Sequence, residues 1–349
     1  VIMYQQNEKI ILSSQESEII RNALNEIEYD PKGGMNYLNK LKQTAYNIFP
    51  ERVIVGIEKM KLLTEEAYGC ISIENLPIDN EVTGSPLFKE TGSSFKGGTI
   101  SENVLIALSL IAGEPYSISH EGLELVNNLT PHPDATKEYT GLGSEVELDF
   151  HIENAAQAHM PEGDTSPLFL MLLGIRTDID NGPFTRIADM RNALKLMSKE
   201  DIKELYQSNY IIKVPYRWRD ATITPRSNTG LVPVLSGPIT CPQITAAFYP
   251  DMMVTANIAA KQALDNLYEA LKKVSFGVQI TPGRLIILNN HFVLHSRDQF
   301  EAKYDKNGRA YRWVQRVFVA PTLWNYRNYQ RLHERVFNAK NLINNDSAA

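Results

Sequence analysis

The chain has 349 residues, a formal net charge of −6, and 43% hydrophobic against 22% charged residues. That length sustains one large core or two smaller ones, and an acidic balance with no long basic block argues against a nucleic-acid partner. Two cysteines, Cys70 and Cys241, are too few for a disulfide-built secreted scaffold and fit a reducing cytoplasm; no apolar window approaches the roughly 18 residues of a membrane span, and the opening VIMYQQNEKII lacks the pattern of a signal peptide.

From about Ser13 to Leu41 the pattern is helical. SSQESEIIRNALNEI sets a capping serine ahead of acidic residues and an apolar stripe, and GGMNYLNKLKQTAYNIF restarts a helix after a Gly-Gly break. YGCISIENLPID (Tyr68 to Asp79) is β-branched, stops at proline and reads as a strand. SENVLIALSLIAG reads as a capped apolar helix ending at Gly113, Asp201 to Tyr206 as a helical turn, and Val254 to Val274 as a long helix. SEVELDFHIE, LFLMLLGIR, YIIKVPYRWR, GRLIILNN, FVLHSR and YRWVQRVFVA are β-rich and separated by Gly, Pro, Asn or Asp. Helices come first, then strands with one inserted helical segment. No βαβ alternation, phosphate-binding glycine loop or repeat occurs. The expected fold class is α+β, a sandwich or barrel with a helical layer. It forms one domain over residues 1–349, with a helical part at about 10–65 and a β core at about 68–325.

Taken as a strand, Val146 to Glu153 points Val146, Leu148, Phe150 and Ile152 one way and Glu147, Asp149, His151 and Glu153 the other. Residues two apart on a strand lie roughly 7 Å apart on one face, so His151 and Glu153 can converge on a metal ion. A solvated polar face gives the same pattern. In TPGRLIILNNHFVLHSR, His295 stands at the end of core structure far along the chain, while His291, after Asn-Asn, is a competing candidate in the turn. Two histidines and one carboxylate leave open positions on non-haem Fe(II), and they also suit a zinc hydrolase that holds a water. Arg312 and Arg316 in YRWVQRVFVA are four apart and share a strand face. Inward-facing arginines need anions and are shaped for carboxylates; surface arginines on an edge strand are the other reading.

GLGSEVELDFHIENA, PGRLIILNNHFVLHSRDQF and YRWVQRVFV together resemble the clavaminate synthase-like Fe(II)/2-oxoglutarate oxygenases, over roughly Tyr68 to Ala320. The resemblance is to the members that hydroxylate free L-amino acids: arginine, asparagine and lysine. It implies a distorted jelly-roll, the double-stranded β-helix. It also implies Fe(II), 2-oxoglutarate and O2 as cofactor and cosubstrates, and hydroxylation of an unactivated carbon with release of succinate and CO2. His151, Glu153 and His295 match the iron ligands. Arg312 and Thr185 match the residues that hold 2-oxoglutarate, Arg316 the one for the substrate α-carboxylate, and Glu121 lies near where such enzymes bind the substrate amine. About three extra residues between His295 and Arg312 make Arg309 a competitor for the cofactor arginine, and the RWVQR context favours Arg312. About six extra residues after Glu153, in AQAHMPEGDTSP, suit a longer mobile active-site lid. ITAAFYPDMM carries Ala247 and Tyr249 where the arginine hydroxylases have acidic residues around the guanidinium, with Asp251 as a compensating acid or a turn residue. This favours lysine over arginine and places Tyr249 at the substrate. Arg217 and Trp218 in YRWRD read as ligand contacts or as an amphipathic strand, and Met252 and Met253 as core. A zinc hydrolase would not need Arg312 and Arg316, and a non-catalytic metal-binding jelly-roll would lose the cofactor arginine or threonine. The expected partner is a small amino acid, with no membrane and no nucleic acid; the oligomeric state stays open.

Overall fold

Ser13 caps the first helix as its sequence context requires: its hydroxyl accepts the Glu16 amide, and the Glu16 carboxylate accepts the Ser13 amide. The structure, a computed structural model, describes residues 7–62, 66–87, 90–161, 163–177, 180, 182–215 and 227–342. The expectations for YRWRD and for a loose NNDSAA tail lie outside these residues. Helices α1 (Ser14–Asn25), α2 (Met35–Ile48), α3 (Glu51–Met60) and α4 (Ile100–Ala112) share one hydrophobic core. Helix α3 falls within the helical part expected over about 10–65 but is not singled out from sequence, because its Val-Ile-Val run favours strands. Its buried Val53, Gly56, Ile57 and Met60 nonetheless recur at helical spacing, a signal that could have found it. Every residue of α4 is buried: Val104–Leu108 and Leu110–Ala112 are apolar, and Ser101, Glu102, Asn103 and Ser109 are buried with hydrogen-bond partners.

Nine strands form the main sheet, in the order Asn7–Ile11, Cys70–Glu74, Leu285–Asn289, Phe169–Arg176, Trp313–Ala320, Glu114–Ile118, Val336–Leu342 and Tyr329–His333, with Asn127–Leu129 also paired to Trp313–Ala320. Phe276–Gln279, Phe184–Asp189, Val293–Arg297 and Leu148–His151 form a second, smaller sheet. Strand alternation divides the interior in two. Phe169, Met171, Leu173, Val317 and Val319 pack into the helical core, whereas Leu170, Leu172, Val314 and Phe318 pack into a core shared with Phe150, Ile187 and Leu294 of the smaller sheet. The main sheet is therefore covered on both faces, which is why LFLMLLGIR is apolar at nearly every position. The architecture is mixed helix and sheet, with a helical layer on one side.

Several boundaries differ from expectation. The long helix begins at Ile258, because the Asn257 side chain caps it by accepting the Ala260 amide, and Met253–Thr255 pairs instead with Tyr210–Lys213. Helices α5 (Met190–Leu194) and α6 (Lys199–Leu205) precede it, and this long one is α7 (Ile258–Val274). The hairpin Tyr329–His333/Val336–Leu342 extends the main sheet beyond position 325 through a parallel pairing with Glu114–Ile118. Both cysteines are free, Cys70 buried and Cys241 half-buried, and no described helix is long and apolar enough to cross a membrane.

Candidate active site

The pairing of Leu148–His151 with Val293–Arg297 sets His151 directly opposite His295. Their ring centroids lie 4.3 Å apart. The strand ends at His151, so Glu153 does not share a strand face with it, contrary to the alternation expected through Val146 to Glu153. Glu153 lies in a turn and arrives at the same point by another route. Its amide donates to Asn290 Oδ1 at 2.8 Å, and Asn290 Nδ2 donates back to the Glu153 carbonyl at 3.1 Å and to the Pro167 carbonyl at 3.0 Å. One ligand atom from each of His151, Glu153 and His295 lies within 4.8 Å of the others. His291 is not part of this group; its amide bonds its neighbour Asn289 Oδ1 at 3.1 Å.

The charge states suit metal binding. Burial, with His295 second, pushes the His151 imidazole down to about 4, so the ring is neutral near pH 7. His151 Nδ1 lies 2.7 Å from the Asp149 carbonyl; a proton placed there to donate leaves Nε2 as the free lone pair. Tyr268 in turn donates to the Asp149 carboxylate at 2.7 Å. Burial alone would raise the Glu153 carboxyl, but Arg316 and the two imidazoles overcome it and hold it at about 2. Two imidazoles and one carboxylate are the donor set of non-haem iron sites with open positions. His295 Nε2 stands 3.5 Å from Glu153 Oε1, close to the spacing two donors take around one ion at about 2.0–2.2 Å each. The residues present therefore fit such an ion.

The cavity over this trio is lined by Glu121, Thr185, Tyr249, Arg312 and Arg316, among others, so the structure brings the sequence-derived candidates to one place. Arg316 is buried, with Glu121 at 2.6 Å, Glu153 at 3.7 Å and the Phe318 ring face 4.4 Å from its guanidinium carbon. Burial would lower its affinity for a proton, and Glu121 and Glu153 raise it instead. Arg309 does not line the cavity; it bonds Glu90 at 2.5 Å and stacks on Phe95. Tyr249 stands edge-on to His151 at 5.4 Å. Asp251 is an exposed turn residue with φ 63°, paired with Lys213 at 2.5 Å, and does not line the cavity. Met252 is buried and Met253 partly so, both packed in the core.

Sequence reasoning misses Arg297, Asn290 and Asn154. Arg297 lines the same cavity opposite Thr185 and donates to the carbonyls of Gly143 and Val146, the latter at 3.1 Å. Burial, with Arg312 second, draws its guanidinium down to about 9. The segment after Glu153 is also not the loose lid expected. Gln157 and Thr165 are buried, Tyr329 donates to Gln157 Oε1 at 2.9 Å, and Asn325 Nδ2 holds the Asp164 carbonyl at 2.9 Å. The insertion is packed against the C-terminal hairpin, whose partners its own sequence does not reveal.

Comparison with known proteins agrees with this geometry. The chain is 27% identical over 256 residues to an L-asparagine oxygenase of Streptomyces coelicolor, covering 73% of this chain and 72% of that one. It is 24% identical over 292 residues to clavaminate synthase 2 of Streptomyces clavuligerus, covering 81% and 83%. A solved asparagine oxygenase, in complex with Fe(II), 2S,3S-3-hydroxyasparagine and succinate, superposes with a TM-score of 0.80 at 22% identity, over 95% of this chain and 99% of that one, and so shares the fold. The family model of the taurine catabolism dioxygenases TauD and TfdA matches residues 95–318, well over half of the chain. The resemblance read from the histidine, glutamate and arginine motifs is thereby borne out, and the chain belongs to the TauD/TfdA dioxygenase family.

Proposed function

We propose that this protein is an Fe(II)- and 2-oxoglutarate-dependent oxygenase that hydroxylates an unactivated carbon of a free L-amino acid, on a distorted jelly-roll formed by the two sheets. The observation that carries the reading is the convergence of His151, Glu153 and His295 in a cavity that also holds Arg312, Arg316, Thr185 and Glu121. His151, Glu153 and His295 would hold the iron. The bound metal supplies the coordination of 2-oxoglutarate and dioxygen and the oxidising power for oxygen insertion, with succinate and CO2 as co-products.

The chain's own share is binding, orientation and exclusion of water. Arg312 offers a forked donor to the distal carboxylate of 2-oxoglutarate, and the Thr185 hydroxyl, buried in the same wall, adds a further bond. Glu121 and Arg316 face each other at 2.6 Å. A free amino acid brings one charge of each sign, so its ammonium can take Glu121 and its carboxylate Arg316 while neither side chain is left buried and unpaired. Leu129, Leu148, Leu172, Ile280 and Val314 form an apolar lining that keeps solvent from the reacting carbon. A panel of the proteinogenic amino acids with Fe(II), 2-oxoglutarate and air tests the reading. One amino acid should yield a product one oxygen heavier, with matching succinate, and Zn(II), which has no redox chemistry, should not replace iron. Turnover with Zn(II), or no amino acid consumed, would overturn it.

A further inference from the structure

Arg297 is buried, lines the cavity and belongs to the strand that carries His295. Where Val293–Arg297 pairs with Phe184–Asp189, His295 stands opposite Ile187 and Arg297 opposite Thr185. Strand alternation puts His295 and Arg297 on one face, about 7 Å apart along the strand. Arg297 therefore stands beside Thr185, on the face that carries the metal-ligand histidine. Its guanidinium carbon lies 5.2 Å from the centre of the Phe300 ring, and that of Arg312 lies 5.6 Å from the same centre, so two cations share one ring in the cavity wall.

The partners that hold Arg297 are neutral. Among the described residues its terminal nitrogens donate to the carbonyls of Gly143 and Val146, the latter at 3.1 Å, and the adjacent Asp298 carboxylate is taken by Arg186 at 2.9 Å. The carbonyls fix the direction of the guanidinium and leave its charge uncompensated. A buried cation beside a second cation is unfavourable until an anion enters. The described acids of the lining are committed elsewhere: Glu121 meets Arg316 at 2.6 Å, and Glu153 belongs to the metal-ligand trio. With a divalent ion on that trio, the wall formed by Arg297 and Arg312 is strongly positive, and a dianion compensates it better than a monoanion.

We propose that Arg297 is a specificity-determining residue of the cosubstrate pocket: a fixed positive charge, held by the Gly143 and Val146 carbonyls, that selects a 2-oxo acid with a second, distal carboxylate over a monoanionic 2-oxo acid. Arg312 makes the forked contact, and Arg297 acts through its charge. This rests on the 2-oxoglutarate reading above and deepens it.

The test is calorimetric binding, without oxygen, of 2-oxoglutarate and of 2-oxovalerate to Fe(II)-loaded protein. 2-Oxovalerate has the same chain length and a methyl group in place of the distal carboxylate. Wild type is compared with Arg297→Gln, which keeps donors for the two carbonyls and removes the charge, and with Arg297→Lys, which keeps the charge. Arg297→Gln should weaken 2-oxoglutarate about tenfold, the order expected of one unit charge on the same wall, and 2-oxovalerate less than about twofold. Arg297→Lys should hold 2-oxoglutarate within about threefold of wild type. Equal weakening of both acids by Arg297→Gln would reduce Arg297 to a clamp on the backbone at Gly143 and Val146 and overturn the proposal, as would unchanged 2-oxoglutarate affinity. Where 2-oxovalerate binds too weakly to measure, or Arg297→Gln does not fold by its melting curve, Arg297→Lys decides: a tenfold loss of 2-oxoglutarate affinity there would overturn the role of charge. Wild type that binds neither acid would overturn the proposal together with the oxygenase reading.

Discussion

Replacing Lys96 by methionine removes a cation from the interior while leaving a flexible side chain to fill the space. Lys96 Nζ meets Asp79 Oδ2 at 2.7 Å, Glu102 Oε2 at 2.5 Å, Ser101 Oγ at 2.9 Å and the Gly98 carbonyl at 3.2 Å. The side chains of Lys96, Asp79 and Glu102 are 0%, 2% and 3% exposed, so solvent cannot take over the role of the ammonium. Removing one partner of such a group strands buried charge, a loss of about 3–5 kcal/mol. For a chain of this length, roughly 2 °C per kcal/mol turns that into a fall of about 6–10 °C in unfolding temperature. The network also reaches the active-site wall. Gln315 donates to Glu102 Oε1 at 2.9 Å, and its carbonyl accepts Ser101 Oγ at 2.7 Å, which fixes the strand whose opposite face carries Val314 and Arg316.

The pH dependence supplies a second signature. In the native protein burial would raise the Asp79 carboxyl, yet Lys96 more than offsets this and holds it below its ordinary value. Its stabilising contribution is thus present above the unfolded carboxyl value and is lost only in stronger acid. Without Lys96 only the Ile100 and Ser101 amides oppose the burial effect, and the folded-state value should rise above the unfolded one. The variant then binds a proton on folding, and its deficit narrows as pH falls from about 7 to about 5. Thermal and urea unfolding of both proteins at the two pH values measures this. A deficit below about 1 kcal/mol, or one equal at both pH values, would refute the argument that Lys96 neutralises buried carboxylates.

Other perturbations probe the site itself. Arg312→Lys should raise the 2-oxoglutarate requirement about ten- to one-hundred-fold, since a forked contact becomes a point contact, while Arg309→Lys, engaged with Glu90, should leave it unchanged; the reverse pattern would reassign the cofactor arginine. Metal titration should find one Fe(II) per chain in wild type and in His291→Ala, and none in His295→Ala, with retention in the last case excluding His295 as a ligand. Metal-free protein should lose stability as pH falls from 6.5 toward 4, because His151 takes up a proton in the unfolded chain and not in the folded one, and Glu153 should add a further loss between 4.5 and 2; melts that are flat across these windows would contradict the charge states of His151 and Glu153. Under native conditions near pH 8 a thiol reagent should label Cys241 and spare Cys70, whose thiol is buried and pushed up to about 12 by burial and by Asp189; rapid labelling of both would mean that the core around Cys70 is open.

What the sequence makes legible is what local patterning encodes. The apolar runs of α4 and Phe169–Arg176 announce buried elements, and the Ser13 cap announces a helix start, since each depends on neighbours within a few residues. His151 and His295 are legible as candidates because each stands in a strand-like run, one beside Glu153 and the other after core structure, and cross-strand pairing then sets them opposite each other. Glu153 is named as a candidate on an incomplete premise: strand alternation ends at His151, and a turn secured by Asn290, 137 positions away, delivers the carboxylate to the two histidines. That clamp cannot be read locally, nor can the docking of Gln157 and Thr165 on Tyr329, which turns an apparent lid into packed wall. The same holds for charge. A count along the chain cannot show that Glu121 is held by Arg316, 195 positions on, or that Arg297 joins Arg312 over one cavity. The metal-binding chemistry therefore sits in short motifs that a reader of sequence can find. The charge balance of the cavity sits in pairings across the fold, where Arg316 meets Glu121 and where Arg297 and Arg312 line the same space.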